Sequence, residues 1–311
     1  MSLRDDELKK IRRLTTVPDD FLAKIPVSES QVYDKVVELL SRLEVKGDNF
    51  VISNKNLQIA SEISTLLKSV LISSDYTKYV TDFAKEFDTQ AVVNNKLFET
   101  AFPKFTQTDL MKSVVNISKR ETIDLLLNRA SDTDFISPLR TTIEQAVING
   151  SGYGETLKAI RTFIEGNEDV DGALLRYSKT YAHDSFAIAD SAYSSVIADE
   201  LDAEWFKYLG DDIKTTRPFC EQRANQFFHY KEINSWFTTD PQPSGITTHS
   251  PWAGMIPGTN KDTFYSYRGG FNCRHSILAQ SISVVPKTVI ERNIASGNFI
   301  PSDFEKEKLG L

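Results

Sequence analysis

Glycine is distributed very unevenly along the chain, and this distribution constrains the fold more than any other feature. The first 149 residues contain one glycine, Gly47, whereas the segment from Trp205 to the end contains eight glycines and seven of the eleven prolines. Sequence that is poor in glycine suits helices, and sequence rich in glycine and proline suits turns around short strands. We therefore predict a mainly α protein, in which a helical N-terminal region precedes a smaller C-terminal α+β domain containing short strands.

The shift in composition also predicts how the chain is divided. A length of 311 residues fits one large domain or two smaller ones. The predicted segments are a helical scaffold domain (1–150), a linking helical hairpin (151–204), an α+β domain (205–285) and a C-terminal tail (286–311).

Local signals predict where several helices begin and end. Ser28 and Ser118 are each followed three residues later by Gln or Glu, a capping-box pattern that marks a helix start. Ser137 followed by Pro138 predicts a third start, and Gly150 fits the position just after that helix. After Ser28, apolar residues recur at three- and four-residue spacing, which predicts an amphipathic helix.

Short elements are predicted in the C-terminal half, where turn residues separate brief apolar runs. Strands are expected at both ends of this region, with a helix and a long loop between them. The predicted elements are a hairpin of 204–209 with 213–216, a helix over 227–236, a loop over 241–258, and strands over 264–267 and 275–279.

Charge and hydropathy argue against two broad classes of function. The net charge of −7 and the isoelectric point of about 5.3 argue against a broad nucleic-acid-binding face, although a local basic patch is compatible with both values. The apolar runs are too short to span a membrane, and the N-terminus lacks the apolar core of a signal peptide. The sequence therefore predicts synthesis in the cytoplasm and no membrane partner.

The two cysteines of the chain lie in two separate motifs, Thr-Arg-Pro-Phe-Cys220 and Asn-Cys273-Arg-His275. In an extended strand, Cys273 and His275 point to the same face, so both can bind one ion. Cys220 is a third candidate, and His229 or His249 can supply the fourth ligand of a tetrahedral zinc site. The motifs therefore predict a Zn²⁺ centre as one of several alternatives.

The other interpretations of the same residues stay open at this stage. The paired knuckles of strong zinc signatures are lacking, and two buried cysteines can simply act as small apolar residues. A Cys220–Cys273 disulfide would close a loop of about 50 residues and stabilise the fold by roughly 4 kcal/mol. A thiolate–histidine nucleophile is a further alternative. Arg217 and Arg274, beside the cysteines, could bind an anion or tie the two loops together through an internal salt bridge.

These motifs and their order resemble the phage head morphogenesis family, the Mu F-like minor head proteins. The resemblance covers roughly residues 150–285, and its most specific part is the pair of cysteine motifs. Many members end the second motif in Cys-Arg-Cys, and His275 at that position keeps a potential ligand. The matching segments are 176–182, 205–210, 216–220, 228–236, 252–254, 257–259 and 269–275.

The resemblance implies a minor capsid protein present in several copies per virion. Its expected partners are the portal protein and the major capsid protein during head assembly, with packaged phage DNA as a further contact. Its expected location is the virion, and the host cytoplasm during assembly. No enzymatic activity follows from the resemblance.

Two alternative functions remain open. One is a pure zinc-stabilised interaction module. The other is a nuclease or other small enzyme in the C-terminal domain, which would need a cleft with a histidine, the two arginines and an acidic residue. The candidates for that cleft are His249 or His275 and Asp212 or Glu221.

Overall fold

The computed structural model of the protein describes residues 3–102, 105–129, 131–210, 213–214, 216–237 and 254–310. Helix makes up 68% of it and strand 7%. This confirms the predicted mainly α class with a small β component. Within these residues, no helix is both long enough and apolar enough to cross a bilayer.

Helices dominate the order of elements along the chain. The helices are α1 (Leu3–Leu22), α2 (Ile25–Leu40), α3 (Asn54–Ser73), α4 (Asp75–Ala101), α5 (Asp109–Asp124), α6 (Ser137–Ile148), α7 (Tyr153–Glu165), α8 (Ala173–Glu200), α9 (Pro218–Glu221), α10 (Tyr230–Ser235), α11 (Phe264–Tyr267), α12 (Lys287–Ala295) and α13 (Asp303–Leu309). Two π-helical turns, Leu125–Arg129 and Asp132–Ile136, lie between α5 and α6. The strands are β1 (Val45–Lys46), β2 (Asn49–Phe50), β3 (Trp205–Leu209), β4 (Phe227–His229) and β5 (Ser276–Gln280).

The chain packs into two compact units, each assembled from separate stretches of sequence. The sheet unit comprises Met1–Thr16, Phe87–Ser118 and His183–Leu311, and the helical unit comprises Val17–Glu86 and Lys119–Ala182. These units are not consecutive along the chain, so they differ from the four segments predicted from composition. Composition shows where turns and strands are frequent, whereas the units are decided by which helix faces pack together.

In the helical unit, the predicted apolar periodicity matches the core, but the predicted helix start does not. Val32, Val36 and Leu40 of α2 are fully buried, as their spacing predicts. The helix begins at Ile25 with a proline in its first turn, so the capping-box start at Ser28 is wrong. Proline is favoured in the first turn because its ring fixes the helical φ angle in advance.

The other helix-terminus predictions have mixed outcomes. Ser118 lies inside α5, so the second capping-box prediction is wrong. The helix α6 does begin at Ser137, with Pro138 in its first turn, but the Ser137 side chain is not the cap. Gly150 follows the C-cap Asn149 and has φ of 62°, which confirms it at the position after the helix.

The sheet of the sheet unit has the antiparallel order β4-β3-β5. The strands β3 and β5 each lie within one residue of their predicted ranges. The predicted hairpin partner of β3 is wrong, because β3 is buried on both faces and pairs with two distant strands instead. The predicted helix over 227–236 divides into β4 and α10, and the predicted strand over 264–267 is the helix α11. The predicted loop over 241–258 lies mostly outside the described residues.

Residues of the predicted C-terminal tail contribute to the core of the sheet unit. Val285, Ile290 and Phe299 form a buried cluster with Trp205 of β3. The helix α13 begins with a capping box in which Ser302 and Glu305 exchange hydrogen bonds. The segment from Val285 to Phe299 therefore supports the face of β3 that carries Trp205.

A buried ion pair links three helices within the sheet unit. The Lys10 ammonium donates to Asp190 Oδ1 at 2.7 Å, to Asn94 Oδ1 at 2.7 Å and to Ser194 Oγ at 2.9 Å. Asp190 Oδ1 also accepts hydrogen bonds from Gln90 and Asn94. Burial lowers the pKa of Lys10. Burial acts to raise the pKa of Asp190, but the ammonium and the amide donors hold it below its usual value.

Candidate metal centre

Residues from both cysteine motifs meet in one buried cluster in the sheet unit. The sulfur atoms of Cys220 and Cys273, 53 positions apart in sequence, are 4.0 Å from each other and form no disulfide. Cys273 Sγ is 3.9 Å from His275 Nδ1. One ligand atom from each residue lies within 4.8 Å of the other two. The structure therefore brings together all three residues that the sequence singles out.

Three short elements position these side chains. Cys220 lies on α9, which starts at a proline, and His275 directly precedes β5. A tight turn before Cys273 joins the two parts of the site, with Gly270 at φ of 95°. A Cβ atom at Gly270 would lie 2.0 Å from the carbonyl oxygen of Gly254, so this close backbone approach requires glycine.

Two arginines hold the motifs in place through backbone carbonyl groups. Arg217 Nη1 donates to the Gly269 carbonyl at 2.6 Å, and Nη2 donates to the Phe271 carbonyl. Arg217 therefore ties the first motif to the second, but with carbonyl partners instead of the carboxylate of a salt bridge. Arg268 is fully buried, and its Nη1 donates to the carbonyls of Cys273 and His275 at 3.0 and 3.3 Å.

Tyr208 of β3 contacts every member of the cluster, and sequence reasoning missed it. Its hydroxyl lies 3.3 Å from Cys220 Sγ and 3.6 Å from Cys273 Sγ. Its ring stacks on His275 with a centroid distance of 5.1 Å. Burial and the two neighbouring thiols raise the pKa of Tyr208 well above its usual value, so the hydroxyl stays protonated and can donate to a thiolate. The available signal was the alternation of β3, which places its side chain on one face with Phe206.

Gly269 and Gly210 have no side chains, and this gives the cluster the room that it needs. A Cβ atom at Gly269 would lie 2.3 Å from Cys220 Sγ, 2.9 Å from the Tyr208 hydroxyl and 3.0 Å from Cys273 Sγ. A Cβ atom at Gly210 would lie 2.6 Å from Cδ2 of His275. Glycine is therefore required at both positions for the three candidate ligands to approach one another.

The two thiols differ in acidity because they share a hydrogen bond. Donation to Cys273, followed by burial, raises the pKa of Cys220, while the same hydrogen bond lowers the pKa of Cys273. The pair thus favours a Cys220 thiol that donates to a Cys273 thiolate. A thiolate is the form of cysteine that binds metal ions.

Neither predicted fourth ligand joins the three residues in the described part of the chain. His229 pairs with Trp205 in the sheet, so its side chain lies on the opposite face from Tyr208. Its ring packs 4.9 Å from the Trp205 ring, and burial lowers its pKa to about 4. His249 lies outside the described residues.

The described residues bring together part of the set proposed for a nuclease cleft, because His275, Arg217 and Arg274 line one cavity. Asp212 and His249 fall outside the described part of the chain. Glu221 is exposed at the end of α9, and Arg274 is exposed beside the cluster. Glu221 is not among the described residues that line the cavity beside His275.

The cluster forms one wall of a cavity of about 240 Å³. The side chains of the three candidate ligands face it, together with two arginines and several polar residues. Tyr208 and Gly269 contact the sulfur atoms but do not line the cavity. The remaining lining residues are Ile213, Thr216, Arg217, Asn272 and Arg274.

The donor set and its spacing fit a metal ion. A zinc ion about 2.3 Å from sulfur and about 2.0–2.1 Å from nitrogen holds neighbouring ligands roughly 3.5–3.8 Å apart in a tetrahedron. Two observed separations, 4.0 and 3.9 Å, are close to that geometry, and all three ligand atoms lie within 4.8 Å of one another. The group of Cys220, Cys273 and His275 can therefore hold a metal ion.

No protein-family model matches the chain, and neither does a curated protein or a solved structure. A functional interpretation therefore depends on the geometry of the cluster and on the order of the sequence motifs around it.

Proposed function

We propose that this chain is a minor capsid protein of the head morphogenesis type, with a zinc ion that stabilises its sheet unit. In this proposal it is a structural component of the virion that associates with portal and major capsid proteins during head assembly. The observation that carries the proposal is the convergence of two motifs, 53 residues apart, on one buried cluster. The same two motifs are the most specific part of the family resemblance.

The choice of zinc follows from the chemistry of the donors. Two cysteines and one histidine provide sulfur and nitrogen ligands, which zinc binds in tetrahedral sites. An ion bound there joins α9 to the segment before β5, across a long stretch of intervening chain. Binding energy at such a site is folding energy, because the unfolded chain does not hold the ligands together.

The surroundings of the cluster favour an assembly role over catalysis. Arg217 and Arg268 direct their guanidinium groups to backbone carbonyls of the second motif, so both stabilise loop structure. Aromatic rings of Tyr208, Phe219 and Phe264 pack around one another beside the sulfur atoms. Such packing makes a rigid module that can present a fixed surface to a partner protein.

Purified protein is expected to contain about one equivalent of zinc per chain, the stoichiometry of a single tetrahedral site. Cys220→Ser and His275→Ala should each lose most of the metal, because each removes one ligand. His183→Ala, on α8 and outside the cluster, is the matched control and should retain it. Elemental analysis with thiol titration measures both quantities. A metal-free protein with two titratable thiols would contradict the zinc site.

In infected cells, the chain is expected to co-purify with portal protein and to be present in mature particles. Cys220→Ser should reduce its incorporation, since a loosened sheet unit presents a less defined surface. Affinity purification of portal complexes and gel analysis of purified virions test this directly. Absence from both virions and assembly intermediates would contradict the assembly role. DNA cleavage by the wild type that is lost in His275→Ala would support the nuclease alternative instead.

A further inference from the structure

We propose that the metal ion in this cluster keeps its fourth coordination position open to the adjacent cavity and binds an oxyanion of the phosphate class there. This inference rests on the proposed zinc site and adds to it a ligand from solution. Among the described residues, three side chains are placed to bind the ion, namely Cys220, Cys273 and His275. Zinc sites with three protein ligands complete their coordination with water or another exogenous group.

One side of the cluster is covered by Tyr208 and Gly269, and the other side borders the cavity. Tyr208 and Gly269 approach the sulfur atoms closely, with the tyrosine hydroxyl 3.3 Å from Cys220 Sγ. There is no room for a further ligand between Gly269 and the sulfurs, because even one methyl group would lie 2.3 Å from Cys220 Sγ. The three candidate ligands instead border the cavity of about 240 Å³, which has space for a small exogenous group.

The charge of the cavity wall favours an anion. Two arginines, Arg217 and Arg274, belong to the lining, and among the described residues that line it there is no aspartate or glutamate. Arg217 donates hydrogen bonds to the Gly269 and Phe271 carbonyls, and its guanidinium group remains positively charged. Arg274 is exposed, and its guanidinium has no hydrogen bond to another described residue. A local positive wall can attract anions although the whole chain is acidic.

Phosphate matches these groups better than a simple monovalent anion. Its several oxygens allow one to bind the metal while two others accept parallel hydrogen bonds from a guanidinium group. Thr216 lines the same cavity, and its oxygen accepts a hydrogen bond from the backbone N–H of Ile213. This leaves the hydroxyl proton of Thr216 available to a ligand oxygen.

The test uses full-length protein in which Co²⁺ replaces zinc, after removal of unbound cobalt. The visible absorption bands of bound Co²⁺ depend on the number and type of its ligands. Inorganic phosphate should shift these bands in a saturable way. Arg274→Gln should weaken the apparent phosphate affinity about tenfold, the effect of losing a charge-assisted bidentate contact. Arg292→Gln, which removes an exposed arginine paired with Glu232, is the matched control and should leave it unchanged.

The outcomes separate this inference from the zinc site itself. A protein that binds no Co²⁺ contradicts the metal centre. A protein with bound Co²⁺ whose bands do not respond to phosphate contradicts phosphate binding at the metal but not the metal centre itself, and a change of the bands in His249→Ala would then identify a fourth protein ligand. Competition with a 5′-phosphorylated oligonucleotide and its unphosphorylated form distinguishes a nucleic-acid phosphate from free phosphate.

Discussion

Gly269→Ala is expected to abolish metal binding and to destabilise the sheet unit, although it adds a single methyl group. The new Cβ atom would lie 2.3 Å from Cys220 Sγ and within 3.0 Å of both Cys273 Sγ and the Tyr208 hydroxyl. Cys220, Cys273 and Tyr208 are all buried, so they cannot move into solvent to relieve the clash. Overpacking of a tight core costs about 1–3 kcal/mol, and the lost metal binding adds to that loss.

Zinc content and urea unfolding, measured on the same preparations, test this prediction. Gly154→Ala is the control, because its nearest contact would be an ordinary 3.7 Å and its backbone is not left-handed. Gly154 lies in the first turn of α7, where alanine suits a helix better than glycine. A Gly269→Ala protein with full zinc content and unchanged unfolding free energy would show that the cluster has more space than these contacts allow.

The parts of the fold that depend on local sequence were predictable. The buried positions Val32, Val36 and Leu40 repeat at helical spacing, so a single element carries its own signal. Helix starts were less predictable, because a capping-box pair such as Ser118 and Glu121 also occurs inside a continuous helix. A capping pattern does not show whether the preceding residues are already helical.

Strand pairing depends on distant residues and was not predictable from local patterns. The segment 213–216 follows β3 after a short turn, and this arrangement in the sequence predicts a hairpin. In the structure β3 pairs with β4 and β5, and its burial on both faces requires partners that also bring apolar side chains. Ser276, the first residue of β5, pairs with Leu209 of β3 and lies 67 positions after it in the sequence. Nothing in the local pattern of either strand specifies that pairing.

The candidate site likewise has parts that local sequence predicts and parts that depend on distant contacts. Cys220, Cys273 and His275 were identifiable because the chain has two cysteines and one histidine lies two residues from one of them. The exclusion of His229 required the sheet register, since its pairing with Trp205 decides the face on which it lies. The role of Tyr208 likewise depends on contacts with residues 12 and 65 positions away.

Lys10→Met is expected to destabilise the sheet unit by about 3–5 kcal/mol, because it leaves the Asp190 carboxylate buried without its cation. The side chains of Lys10 and Asp190 are both 0% exposed, and their charged atoms are 2.7 Å apart. Lys85→Met is the matched control. It breaks the pair with Asp82, whose side chains are 67% and 43% exposed, and should change the unfolding free energy by less than about 1 kcal/mol.

The pH dependence of this loss distinguishes an unpaired charge from a simple packing defect. In the wild type, the pKa of Asp190 lies below its usual value, so its stabilising contribution is present above that value and is lost as pH falls through the lowered pKa. In Lys10→Met, burial without the ammonium raises the pKa of Asp190, and protonation relieves the penalty. The difference in unfolding free energy between the two proteins should therefore narrow as pH falls toward about 4. A difference that stays constant across this range would mean that lost packing, rather than the buried charge, accounts for the destabilisation.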